Sequence, residues 1–127
     1  MPEERQFKII THRQKFSVSV TLLELHGDLE GRAVQQFAKV LLDIAEGLNP
    51  YVILNLKNLT FVTSQGLATI VRAAKRLSSL RSGKLVLCQI NPNLEMLFEM
   101  LDPRIGILSF MTEEGALNEF SSIEAEF

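Results

Sequence analysis

The chain has 127 residues, 46% apolar and 22% charged, enough for one buried core and too short for two ordinary domains. Its 13 basic and 15 acidic residues give a formal net charge of −2, which does not resemble a polyanion-binding surface and argues against DNA or RNA as partner. No run reaches the roughly 18 apolar residues of a membrane span, and charges interrupt MPEERQFKIITHRQKF where a signal peptide needs an apolar core. A cytoplasmic protein without membrane insertion is expected. Two distant histidines and one cysteine offer no metal-ligand spacing, so neither metal nor cofactor is expected. Cys88, inside KLVLCQI, reads as a small buried thiol.

Taken in chain order, FKIITHRQKFSVSVTLLELHG reads as two strands. Phe7, Ile9 and Ile10 mark the first, and a hairpin is expected around His12 to Lys15. Phe16, Val18 and Val20 alternate with Ser17, Ser19 and Thr21 in the second, the period of a strand with one buried face. Gly27 reads as its end, and Gly31 permits unusual backbone geometry. Asp28 or Glu30 is placed to cap a helix from about Arg32 to Glu46, with Val34, Phe37, Ala38, Leu41 and Ala45 on its apolar side. Gly47 and Asn49-Pro50 end it.

YVILNLKNLTF reads as one central strand, apolar on both faces. After the turn TSQG, a second helix carries Leu67, Ile70, Val71, Ala74 and Leu77 at spacings of three and four. Ser82-Gly83 breaks it, and KLVLCQI is the next strand. Asn91-Pro92 opens a third helix with Leu94, Leu97, Phe98 and Leu101 on its apolar side. ILSFM forms a short last strand, and Thr112 caps a final helix over EEGALNEF, which Gly115 weakens. Strands alternating with helices predict an α/β domain with a largely parallel sheet of about five strands and about four helices.

In such sheets the functional rim lies where strand C-termini meet helix N-termini. GDLEG, FVTSQG and the Asn91-Pro92 connection all fall on that rim. Thr63 and Ser64 precede a helix that either hydroxyl can cap. The amides there favour negative charge, so a phosphate is less costly than elsewhere on the surface. Gly66 beside them leaves space for something to approach. Local chemistry permits a phosphorylation switch without demanding one, and Ser64 as an ordinary cap is the plainer reading. A hydrolytic Ser64 needs a base and an orienting group, which His26 and Asp28 would have to supply. The stretch lacks the GxSxG elbow, and no phosphate-binding glycine loop is present.

GDLE at 27–30, NLKNLTFVTSQGLATIV at 55–71 and GKLVLCQINPNLEMLFEMLD at 83–102 resemble the STAS domain, and more narrowly the bacterial anti-sigma factor antagonists. The resemblance spans about residues 7–120, one domain filling the 127-residue chain. It implies a protein-binding switch with no catalytic activity of its own. Such a switch binds an anti-sigma factor serine kinase when Ser64 is unphosphorylated, and a PP2C-type phosphatase reverses the phosphorylation. Thr63 stands where the family usually has aspartate, which makes it a second candidate acceptor. Gln65 replaces a small residue, and Glu30 replaces aspartate. The expected partner strip comprises Asp28, Glu30, Gly31, Thr63, Ser64, Gln65, Gly66 and Arg72. Within the same family, stressosome scaffolds and subunits of lipid-transport ABC systems are alternatives, and the latter often carry threonine at the position of Thr63. A constitutive binding module is a third alternative, and a homodimer through a sheet edge or helix face stays open.

Overall fold

The computed structural model describes residues 6–15, 19–47, 50–79, 83–101 and 107–121. β1 (Lys8–Lys15) and β2 (Ser19–Leu29) form an antiparallel hairpin in which Lys8 faces His26 and Lys15 faces Ser19. The pairing carries β1 through His12–Lys15, where a turn was expected. Phe16 and Val18 lie outside the described residues. Leu22, Leu23 and Leu25 are all buried because helices cover both sides of β2.

α1 (Arg32–Ala45) buries Ala33, Phe37, Leu41 and Ala45, one residue per turn. Ala38, expected in the core, is exposed. It sits one position past Phe37, about 100° further round the helix.

The run YVILNLKNLTF forms two strands, β3 (Tyr51–Asn55) and β4 (Leu59–Val62). A turn separates them, closed by the Leu59 amide donating to the Leu56 carbonyl at 3.3 Å. β3 pairs with Thr21–Glu24 of β2, and β4 pairs further along the same strand with Gly27–Leu29. The sheet therefore has six strands where about five were expected.

The remaining elements are α2 (Ser64–Ser79), β5 (Lys84–Cys88), α3 (Pro92–Leu101), β6 (Ser109–Phe110) and α4 (Glu113–Ser121). The main strand order is β1-β2-β3-β5-β6, parallel except for β1. Phe37, Leu67, Ile70, Leu94 and Phe98 bring α1, α2 and α3 onto one core with Leu23, Leu25, Val52, Leu54 and Leu87. A smaller core beneath the opposite face joins Ala116 and Phe120 of α4 to Val20, Leu22, Ile53, Val86 and Cys88. α4 is capped as expected, the Gly115 amide donating to Thr112 Oγ1 at 3.0 Å.

Glu24 continues the Val20–Leu22 face of β2. His12 Nε2 lies 2.7 Å from one of its oxygens and His26 Nε2 3.4 Å from the other. Partial burial alone would raise the Glu24 carboxyl, but hydrogen bonds from both histidines, aided by their charge, outweigh it and hold the carboxyl below its ordinary 4.5. A lowered folded value stabilises the fold above the ordinary value, and that stability is lost as the pH falls through the lowered one. Urea unfolding of Glu24→Gln beside the parent chain should therefore show a deficit at pH 6 that closes as the pH falls below the ordinary carboxylate range.

Candidate functional site

The β2–β4 pairing builds the site. Asp28 pairs with Phe61 and Leu29 with Val62, which brings GDLE against FVTS. Gly27 makes this possible without ending the strand. It adopts φ +83° at a bulge, and its amide donates to the Asn58 carbonyl at 3.1 Å, so β2 continues to Leu29. Thr60 donates its hydroxyl to Asp28 Oδ1 at 2.5 Å, and the Thr63 amide donates to the Leu29 carbonyl at 3.2 Å.

Neither Asp28 nor Glu30 caps α1. The N-cap is Gly31, at φ +55° and ψ −127°, with no side-chain cap. The Ala33 and Val34 amides donate instead to the carbonyls of Glu30 and Gly31, at 3.0 and 3.1 Å. Glu30 and Gly31 are thereby left exposed on the rim.

Thr63, rather than Ser64, caps α2. Its Oγ1 accepts from the Gly66 amide at 3.1 Å, and its carbonyl accepts from the Leu67 amide at 3.0 Å. Ser64 is the first residue of the helix. It is exposed, and among the described residues its hydroxyl has no hydrogen-bond partner. The plainer reading of Ser64 as the cap is thus replaced, because only Thr63 has the geometry for it. The cap needs an oxygen acceptor rather than a charge, so Thr63 serves where the family pattern has a carboxylate.

Gly66 has a different role from the expected one. A Cβ there would lie 2.7 Å from Val62 Cγ2 and 3.1 Å from Leu29 Cγ, so the missing side chain admits the chain's own strands and not a partner. Leu29 is fully buried and cannot swing aside. Gly66→Ala is expected to cost about 1–3 kcal/mol, overriding alanine's better helix propensity. A fall in urea midpoint at unchanged slope would show it.

Gln65 is exposed beside Ser64. Arg72, two turns on, is exposed but lines a groove between α1 and α2 instead of the rim. The Ser64–His26–Asp28 arrangement is not assembled: His26 sits on Glu24, Asp28 takes the Thr60 hydroxyl, and neither is hydrogen-bonded to Ser64. No group of three or more metal-ligating side chains occurs among the described residues.

Asn91-Pro92 opens α3 as expected: Asn91 Oδ1 accepts from the Leu94 amide at 2.8 Å, with Pro92 as the first helical residue. Other features of the rim escaped the sequence reading. Between β4 and α3 lies a depression of about 270 Å³, lined in part by Phe61, Asn93 and Leu97. Phe61 and Leu97 are 45% and 43% exposed, giving the rim an apolar flank. Asn55, buried at the end of β3, donates to Gln89 Oε1 at 2.8 Å and to Glu113, and accepts from the Lys57 amide at 2.9 Å. Gln89 is held at φ +55°, so this polar knot fixes the β5–α3 connection. An asparagine inside an apolar run was the available signal. Burial, reinforced by the carboxylates of Glu113 and Glu24, pushes the neighbouring Cys88 thiol up to about 12.

Helices thus cover both faces of this sheet, and an exposed serine opens α2 on its rim. The STAS domain model matches residues 12–116, and the chain belongs to that family. Among solved structures it is similar to the phosphorylated form of the Bacillus cell fate determinant SpoIIAA, at 22% identity and TM-score 0.66 over 87% of this chain and 98% of that one. A variant of RsbS from Moorella thermoacetica matches at 16% identity and TM-score 0.72, over 88% and 93%. An anti-sigma-factor antagonist (STAS) domain protein from Planctomyces limnophilus matches at 21% and 0.66, over 88% and 98%. At these identities the likeness establishes the fold. No helix among the described residues is long and apolar enough to cross a membrane.

Proposed function

We propose that this chain is a phospho-regulated protein-binding switch that captures an anti-sigma factor serine kinase while Ser64 is unphosphorylated. The observation that carries this reading is the division of labour at the α2 start. Thr63 holds the cap, so the Ser64 hydroxyl is exposed and has no structural task among the described residues. A kinase can modify it without dismantling the helix.

The partner surface is the rim of Asp28, Glu30, Gly31, Ser64 and Gln65, flanked by Phe61 and Leu97. Capture desolvates that apolar flank. A phosphate on Ser64 adds nearly two negative charges close to Asp28 and Glu30 and must be desolvated in any complex. It therefore opposes binding while suiting the α2 N-terminus in the free chain. A PP2C-type phosphatase would restore the capturing form. The likeness to a phosphorylated SpoIIAA supports this reading.

Thr63 favours one second reading, a STAS subunit of a lipid-transport ABC system. Affinity capture from the source cell's lysate with Ser64→Ala and Ser64→Asp chains separates the two. The switch predicts a small ATP-binding kinase held by the alanine form and lost from the aspartate form. A transporter ATPase held by both would replace it with the transport reading.

A further inference from the structure

Away from the rim, α1 and α2 part over a groove of about 280 Å³. It exists because small residues meet there: Ala38 and Ala45 on α1 face Ala73 on α2, over a floor made by Leu41 and Leu77. Leu42, 41% exposed, forms an apolar lip. Arg72 and Arg76, one turn apart, form the opposite lip. Among the described residues no carboxylate forms an ion pair with either guanidinium, and Arg72 donates only to Thr69 Oγ1, at 3.5 Å.

We propose that this groove binds a single-chain anionic amphiphile, with the chain between the alanine walls on the leucine floor and the head group on Arg72 and Arg76. Size selects the occupant. The groove runs from Ala38 to Ala45, about 10 Å along the axis. A 10 Å length of helix with its side chains occupies roughly 800 Å³ or more, so it would rest on the lips with most of its volume outside the groove. An alkyl chain of about eight to ten carbons, about 4–5 Å across, fills roughly 200 Å³ over the same length. Charge selects the head group: paired guanidiniums present parallel N–H donors to a carboxylate. Apolar lining with a few placed polar groups is the usual makeup of a small-molecule site.

The test is an NMR titration of the isotope-labelled full chain with sodium decanoate below its micelle concentration. The expected result is saturable shifts at Ala38, Leu42, Ala73 and Arg76. Arg72→Gln with Arg76→Gln should weaken binding at least tenfold, and Ala73→Leu, which fills the groove, should abolish it. If Ala73→Leu does not fold, Ala38→Leu on the exposed wall replaces it. Equal binding of decyltrimethylammonium at the same residues would overturn the proposal, because the arginines would then not select charge. Shifts that saturate elsewhere, or none at all, would also overturn it, as would an acidic amphipathic peptide that binds the groove when decanoate does not.

Discussion

Ser64→Asp is expected to weaken capture of the partner kinase by about 100-fold or more, near 3 kcal/mol, while the chain's melting temperature stays level or rises slightly. The two effects have opposite signs because one residue meets two environments. In the free chain, position 64 opens α2, where unpaired amides and the helix dipole stabilise a carboxylate by about 0.3–1 kcal/mol. Thr63 keeps the cap in either variant, so the helix start is undisturbed. In a complex, the same carboxylate joins Asp28 and Glu30 on one rim and loses its water. Titration calorimetry and thermal unfolding of the same samples check both halves. A loss of binding that tracks a loss of stability would mean that Ser64 is structural.

Phe120→Ala carries the largest expected loss of stability, about 3–5 kcal/mol, or a melting temperature lower by about 10–20 °C for a domain of this size. Phe120 is fully buried and packs edge-on against Tyr51, with ring centroids 5.8 Å apart. It belongs to the smaller core, which has few large members to close over a cavity. Losing it also loosens α4, whose first residue, Glu113, accepts from Asn55 at the end of β3. Removal should therefore be felt at the β5–α3 connection, through Gln89, as well as in the melting curve. Differential scanning calorimetry measures the first effect, and amide exchange around Gln89 the second.

Element types were legible because their periods are strong. Phe37, Leu41 and Ala45 repeat once per turn, and Leu67, Ile70, Ala74 and Leu77 follow one side of α2 at spacings of three and four. Both helices were readable from hydrophobic spacing alone. The break at Leu56–Asn58 was not, because Leu56 and Leu59 are both buried and keep the apolar run going across a turn. Gly27 misled for a related reason: a glycine at a bulge and a glycine at a strand end look alike in sequence.

The site was legible to the level of segments. GDLE and FVTSQG do lie side by side, through β2–β4 pairing that the sequence reading had not resolved as a separate strand. The choice between Thr63 and Ser64 as cap was out of reach, since both have a hydroxyl and they differ by one position along the chain. Gly66 likewise needed coordinates, because only the 2.7 Å approach of Val62 shows what the missing side chain admits. Phe61 and Leu97 sat in apolar patterns that read as core, and only their exposure marks them as a flank of the rim.

The central claim is that phosphate on Ser64 governs partner binding. The most direct measurement incubates the purified chain with its captured kinase and ATP, maps the phosphate by mass spectrometry, and compares the affinity of the modified and unmodified chains. The account predicts one phosphate, on Ser64, and an affinity lower by about 100-fold. A chain that stays unmodified while the kinase is active, or one that is phosphorylated on Ser64 and binds unchanged, would contradict it.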